Sequence, residues 1–133
     1  MVEIPAPIFD AIIEHARSEL PAECCGLLAG QRSMVTRCFR LGNELASPVA
    51  YRADARDLFF AFREMRDKHL DLVAIYHSHP TSPARPSRVD LSQNYYEETP
   101  HVIVSLAGAA PDVKAFRLAG DGFVEIPCVR KEN

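Results

Sequence analysis

Two histidines stand two residues apart at the end of an apolar segment, following the run 72–76. Side chains at positions i and i+2 of a β-strand point to the same face of the sheet. If the strand continues to His79, the imidazoles of His77 and His79 are therefore presented together. Pro80 cannot continue a paired strand, because proline has no N–H to donate. Neutral imidazole is a common zinc ligand, so this strand end is a candidate metal site.

A serine and an aspartate follow these histidines across a short loop stiffened by Pro83 and Pro86. Ser87 and Asp90 have the spacing of a helix N-terminus, with serine as N-cap and aspartate at the third helical position. The loop can bring Asp90 back toward the histidines. Two imidazoles and one carboxylate are a normal zinc ligand set with the fourth position open. Capping and ligation are compatible, because a cap fixes the backbone and leaves one carboxylate oxygen to face the metal.

The stretch 74–90, AIYHSHPTSPARPSRVD, resembles the metal motif of the JAMM (JAB1/MPN/Mov34) metalloprotease family. That motif includes a distant upstream glutamate, and the stretch 21–30, PAECCGLLAG, is similar to the segment that carries it. The resemblance covers nearly the whole chain, and no motif position is missing. It implies one zinc ion per chain, held by His77, His79 and Asp90 with a water molecule as fourth ligand. It also implies that Glu23 shuttles a proton for that water and that Ser87 donates to the oxyanion.

The resemblance implies a zinc-dependent enzyme that hydrolyses a peptide or isopeptide bond at the C-terminal tail of ubiquitin or a ubiquitin-like protein. The loop 42–48 is short, which is similar to the compact prokaryotic members rather than to the eukaryotic deubiquitinating ones. A small ubiquitin-like sulfur-carrier protein is therefore favoured as substrate over ubiquitin itself.

Two other classes of function remain open. One is a non-catalytic MPN-type scaffold or binding domain, which in the family has lost metal ligands, whereas here the set is intact. The other is a zinc nucleobase deaminase, which requires His-x-Glu followed by Pro-Cys-x-x-Cys. This sequence contains neither deaminase element.

The composition is that of one globular domain spanning residues 1–133, with 47% hydrophobic and 25% charged residues. The net charge of −3 gives no support for a nucleic-acid partner. The start of the chain has no signal-peptide pattern, and no stretch approaches the roughly 20 apolar residues of a membrane span. We therefore expect a cytoplasmic protein without a membrane partner. The sequence does not predict its oligomeric state.

Four cysteines occur without a Cys-x-x-Cys spacing, so a cysteine-ligated zinc site is not indicated. They are interpreted as small buried hydrophobic residues, and a disulfide between two of them stays open. They are Cys24, Cys25, Cys38 and Cys128.

Hydrophobic periodicity predicts helices that interrupt a series of strands, which is typical of an α/β or α+β sheet flanked by helices. The predicted helices cover 8–20, a segment from the Asp54 cap to about 69, and about 87–96. The predicted strands are 24–29, 34–41, a short one at 49–52, a central one at 72–78, and then 101–107, 113–118 and 123–126. His15 and His69 are expected at solvated helix positions. The JAMM resemblance implies a mixed, curved sheet with helices on both sides, similar to the cytidine-deaminase fold.

Overall fold

The computed structural model describes residues 1–92 and 98–132. Within them the chain forms a mixed sheet of eight strands in the order β7-β6-β5-β4-β2-β3-β1-β8, together with three helices. The strands are β1 (Val2–Pro5), β2 (Cys25–Gln31), β3 (Met34–Leu41), β4 (Asp71–His79), β5 (His101–Ser105), β6 (Asp112–Ala119), β7 (Gly122–Ile126) and β8 (Cys128–Lys131). The helices are α1 (Ala6–Ser18), α2 (Ala55–Asp67) and α3 (Arg88–Ser92).

The sheet is mixed and curved, as expected. Strand β4 lies in its middle, antiparallel to β2 and parallel to β5. Both faces of β4 are covered, which explains its nearly continuous burial. On one face Tyr76 packs in the core that includes Ile12 and Ala16 of α1, and on the other Ile75 packs with Ala61 and Met65 of α2. Helices therefore lie on both sides of the sheet, as the family resemblance implied.

Helix α1 begins two residues earlier than predicted and ends at Ser18, so Leu20 lies outside it and is 48% exposed. The expectation that His15 is solvated was wrong. His15 is buried, and its Nδ1 is 2.7 Å from the Tyr76 hydroxyl across the core. His69 is exposed, as expected, but it follows the end of α2 and has a positive φ of 56°.

Helix α2 is capped by Asp54, whose side chain accepts a hydrogen bond from the Asp57 N–H at 3.0 Å. The periodicity of this segment predicts an apolar stripe formed by Leu58, Phe59, Phe62 and Met65. This prediction was partly wrong, because Phe59 is 63% exposed and Phe62 is 36% exposed. Ala61 and Met65 are the buried residues of this helix, so its inward face is rotated from the predicted one.

The predicted strand at 49–52 is absent, and an isolated bridge between Asn43 and Ala53 closes that loop instead. The end of α3 predicted near Tyr96 lies outside the described residues. Strands β1 and β8 were not predicted, since each has only four residues. They pair with each other in parallel, and β1 also pairs with β3. The four cysteines are free, with Cys24 and Cys25 buried and the other two half-buried.

No helix in the two described ranges has both the length and the apolar character to cross a membrane.

Candidate metal centre

The two histidines lie at the end of β4 and face the same side of the sheet. In the register of the sheet, His77 is opposite Cys25 of β2 and Ile103 of β5, and His79 is opposite Ser105. Both imidazoles are almost fully buried. Their Nε2 atoms are 3.2 Å apart, so the strand continues far enough to bring the two rings together.

The proline-rich loop after β4 is fixed to the sheet by packing and by hydrogen bonds. Ala84 is buried in a small core with Ile103 of β5. The Ser105 hydroxyl donates to the Ser82 carbonyl at 2.6 Å. The Pro83 carbonyl lies 2.8 Å from Nδ1 of His79. This anchoring turns the chain so that α3 starts beside the histidines.

Asp90 and Ser87 form the reciprocal contacts expected at a helix start. The Asp90 N–H donates to Ser87 Oγ at 3.1 Å, and the Ser87 N–H donates to Asp90 Oδ2 at 2.8 Å. The same carboxylate reaches both imidazoles: Oδ1 is 3.1 Å from His77 Nε2, and Oδ2 is 3.0 Å from His79 Nε2. The structure thus brings His77, His79 and Asp90 together while the cap is in place.

The geometry of this cluster fits a small divalent cation. Among the described residues, one ligand atom each from His77, His79 and Asp90 can be chosen so that all lie within 4.8 Å of one another. A tetrahedral zinc ion with bonds of about 2.0–2.1 Å separates its ligand atoms by roughly 3.3 Å, close to the distances of 3.0–3.2 Å between these atoms. The Pro83 carbonyl accepts from Nδ1–H of His79 when Nε2 carries the ligating lone pair, which is the usual arrangement around metal-bound histidine.

The electrostatics of the cluster favour an ionised carboxylate. Burial opposes the charge on Asp90, but hydrogen bonds from His77 and His79 outweigh it and hold the pKa of Asp90 far below its usual range. Burial likewise opposes a charged His79, but its hydrogen bonds to Asp90 and to the Pro83 carbonyl raise the pKa of His79. The site is therefore built around one fixed negative charge that a cation would neutralise.

Glu23 lies two residues before β2 and is buried near the cluster, with 3% of its surface exposed. Its Oε1 has no hydrogen-bond partner among the described residues. Burial raises the pKa of Glu23 to about 8; the charge of His79 opposes this and that of Asp90 adds to it. A buried carboxyl oxygen without a partner is costly. Such an oxygen fits a group whose partner arrives with the metal or the substrate.

Comparison with known proteins decides the family. A model of the prokaryotic homologs of the JAB domain matches residues 5–119. The chain belongs to this family. A CysO-cysteine peptidase from Mycobacterium tuberculosis is 32% identical over 127 residues, covering 93% of this chain and 87% of that protein. A probable TtuB-protein conjugate cleaving protease from Thermus thermophilus is 38% identical over 116 residues, covering 86% of this chain and 74% of that protein.

The JAB fold is also seen in a solved structure. The crystal structure of a JAB1/MPN domain protein from Archaeoglobus fulgidus superposes with a TM-score of 0.64. It is 23% identical, and the match covers 97% of this chain and all of that one. This likeness concerns the fold alone, and it confirms the mixed, curved sheet that the family resemblance implied.

The JAB site opens into a cleft of about 310 Å³ between α2 and the sheet. His77 and Asp90 line it together with apolar side chains such as Leu45, Leu58 and Phe62. A cleft of this size can hold several atoms of an extended peptide. This cleft was not predicted, since its walls come from many separate parts of the chain between Cys25 and His101.

Two residues of this JAB cleft were not predicted to belong to the site. The Tyr51 ring stacks on the His77 ring, with centroids 4.8 Å apart and planes inclined by 27°. Nδ1 of His77 has no hydrogen-bond partner among the described residues, so the His77 ring is held by this stack and by the contacts of its Nε2 atom. His101 also lines the cleft, where burial and the nearby His77 lower its pKa to about 4. It begins β5, as the sequence predicted.

Proposed function

We propose that this JAB-family protein is a zinc-dependent metallopeptidase that hydrolyses a peptide or isopeptide bond at the C-terminal tail of a ubiquitin-like protein, in the cytoplasm. The observation that supports this best is one cluster of buried side chains. Three ligand atoms converge in His77, His79 and Asp90, and near them Glu23 buries a carboxyl oxygen that has no hydrogen-bond partner within the described part of the chain. This set suits metal-assisted hydrolysis, which needs a metal position and a nearby base.

We propose one zinc ion per chain, held by Nε2 of His77, Nε2 of His79 and a carboxylate oxygen of Asp90, with a fourth position left for water. When bound, zinc supplies a Lewis acid that polarises the scissile carbonyl and lowers the pKa of water to about 7. The protein holds the ligands ready, because β4 fixes the two imidazoles and the cap at Ser87 fixes Asp90.

Glu23 is the proposed general base and acid. Its carboxylate accepts a proton from the attacking water and then gives a proton to the leaving amine. A group with this task is most effective when its pKa lies near the working pH, and burial moves the Glu23 pKa in that direction.

Ser87 is the proposed donor to the oxyanion that develops on the attacked carbonyl. A serine hydroxyl accepts hydrogen bonds and also donates one. Ser87 Oγ already accepts from the Asp90 N–H, so its own hydrogen can point to the substrate. One such donor is typically worth about 3 kcal/mol in the transition state.

The substrate is proposed to be a ubiquitin-like sulfur-carrier protein whose extended tail enters the cleft. The names of two relatives support this class: one describes a peptidase for CysO-cysteine and the other a protease for TtuB-protein conjugates. Extended peptides commonly bind beside a sheet with strand-like contacts. The net charge of −3 gives no support for nucleic acid as a partner.

The test uses a panel of ubiquitin-like sulfur-carrier proteins, each with its C-terminus extended by an amino acid or joined to a lysine side chain. Each is incubated with the zinc-supplied protein and followed by mass spectrometry. The proposal predicts cleavage directly after the tail in at least one case, and no cleavage after removal of zinc with a chelator. A panel left wholly uncut by zinc-loaded protein would refute the substrate assignment.

A further inference from the structure

The loop between β3 and α2, residues 43–53, supplies the backbone contacts of Glu23. The Glu23 N–H donates to the Ser47 carbonyl at 2.8 Å. The Glu23 carbonyl accepts from Nδ2 of Asn43 at 3.1 Å. Both main-chain polar groups of the proposed base are thus bound to this 43–53 loop rather than to a neighbouring strand. The loop therefore determines where the Glu23 backbone lies.

The Asn43 side chain uses its full capacity for hydrogen bonds. Its Nδ2 donates to the carbonyls of Glu23 and Ala50, both at 3.1 Å. Its Oδ1 accepts from the N–H groups of Leu45 at 3.1 Å and Arg52 at 3.0 Å. Two donors and two lone pairs are all that a primary amide offers to such partners. A half-buried side chain that is fully bonded in this way is held in one orientation.

Contacts of the next residue show why Glu23 needs this support. Cys24 is already held by β4, since its N–H donates to Ser78 Oγ at 2.8 Å and its carbonyl accepts from the Ser78 N–H at 3.1 Å. Regular pairing of β2 begins only at Cys25. Glu23 is therefore the position at which support by the sheet stops and support by the loop begins.

We propose that Asn43 is a positioning residue for catalysis, acting through the Glu23 backbone to place the buried carboxylate beside the metal ligands. The inference rests on the proposed peptidase function and adds a residue to it. Asn43 does not itself touch the reacting atoms. Proton transfer needs the base within hydrogen-bond reach of the water, and a misplacement of about 1 Å can cost on the order of 100-fold in rate.

The test variant is Asn43→Asp, which has nearly the same shape. Aspartate keeps an oxygen for the Leu45 and Arg52 N–H groups but replaces both N–H donors by an oxygen that faces two carbonyls. At saturating zinc we expect kcat to fall about 10- to 100-fold with KM changed less than about threefold. Zinc content should stay that of the wild type, and the Glu23 amide should exchange with solvent at least about tenfold faster.

The matched control is Glu44→Gln in the same loop. It breaks the exposed ion pair between Glu44 and Arg52, whose atoms are 2.8 Å apart, and leaves the Asn43 contacts intact. We expect kcat, KM and Glu23 amide exchange to stay those of the wild type. A comparable loss of kcat in this control would overturn the proposal, because any disturbance of the loop would then suffice.

The remaining outcomes of the Asn43→Asp experiment also test the positioning role. Unchanged kcat in Asn43→Asp, a change confined to KM, or loss of zinc would each overturn the positioning role. Should the variant fail to fold, hydrogen exchange in the wild type is measured by NMR instead. The two Asn43 side-chain amide protons should exchange with solvent at least about tenfold more slowly than those of a free amide. Equal exchange rates would overturn the proposal. A wild type with bound zinc and no peptidase activity would instead refute the proposed function. The exchange measurements would still test whether Asn43 is hydrogen-bonded to the Glu23 carbonyl.

Discussion

Tyr76 of β4 lies directly opposite Gly26 of β2, and its ring fills the space that a side chain at Gly26 would need. The Tyr76 hydroxyl then reaches across the core to Nδ1 of His15 on α1. Tyr76 immediately precedes His77, and Gly26 immediately follows Cys25, which is opposite His77. The absence of a side chain at Gly26 thus lets a large buried residue brace the strand that presents the two histidines proposed as metal ligands.

Gly26→Ala should destabilise the protein by about 1–3 kcal/mol, the usual cost of forcing extra volume into a packed core. The added Cβ would overlap the Tyr76 ring, so the ring or strand β2 must shift. Urea unfolding followed by circular dichroism measures the loss. Gly108→Ala is the matched control, because the nearest atom to its added Cβ is 3.7 Å away. Equal stability of the two variants would contradict this explanation.

The buried His15 should make stability depend on pH in the acidic range. Burial, and secondarily the charge of Arg40, lowers the pKa of His15 from 6.5 to about 4. Between these values the unfolded chain binds a proton and the folded protein does not. The free energy of unfolding should therefore fall as pH drops from about 6.5 to about 4, by up to about 3 kcal/mol from this residue.

The measurement compares wild type with His15→Gln, whose amide can still bond to Tyr76. The variant should lose a clear part of the acid sensitivity. The acid sensitivity that the variant keeps comes from other groups such as His101, whose pKa is also lowered to about 4. Identical pH profiles for the two proteins would show that His15 is not held neutral by burial.

Much of the site could be predicted from the sequence because its spacing is local. His77 and His79 follow from the period of a strand, and Asp90 follows from a cap that fixes how the loop returns. Glu23 could not be predicted in this way, because the local sequence around a glutamate before a strand does not indicate whether it is buried. Only the family resemblance identified it. Asn43 and Tyr51 could not be predicted, since their roles arise from contacts with distant parts of the chain.

In the fold, too, features set by local sequence patterns were predicted correctly, and features set by contacts distant in sequence were not. Strand β3 and the Asp54 cap of α2 were predicted correctly, because alternation and capping are local patterns. The buried face of α2 was wrong at Phe59, since the helix turns Leu58, Ala61 and Met65 toward the sheet and leaves Phe59 63% exposed. Strands β1 and β8 are defined by their mutual pairing, which joins the two ends of the chain.

Ser87→Ala separates the capping role from the catalytic one. Loss of the cap should cost about 1 kcal/mol of stability, and loss of the oxyanion donor should lower kcat by about 100- to 1,000-fold with little change in KM. Kinetics at saturating zinc and thermal unfolding measure the two effects. Ser92→Ala is the control, because that exposed hydroxyl donates to the Val89 carbonyl at 3.0 Å and belongs to neither the proposed metal site nor the cap. A loss of stability without loss of kcat would remove Ser87 from the mechanism.

Glu23→Gln should retain zinc and lose turnover. Glutamine fills the same buried space but cannot accept the proton of the attacking water. We expect kcat to fall by at least about 100-fold, within the range that general bases contribute. Metal analysis and turnover are measured on the same sample, so that loss of zinc is not mistaken for loss of the base. Retained turnover would exclude Glu23 as the base.

Zinc stoichiometry tests the central claim most directly. Purified protein is supplied with zinc, freed of excess metal and analysed by elemental mass spectrometry, beside the variant His77→Ala. The wild type should hold about one zinc ion per chain, and the variant should hold much less. Wild-type protein that retains no zinc, or a variant that retains as much as the wild type, would contradict a metal centre formed by His77, His79 and Asp90.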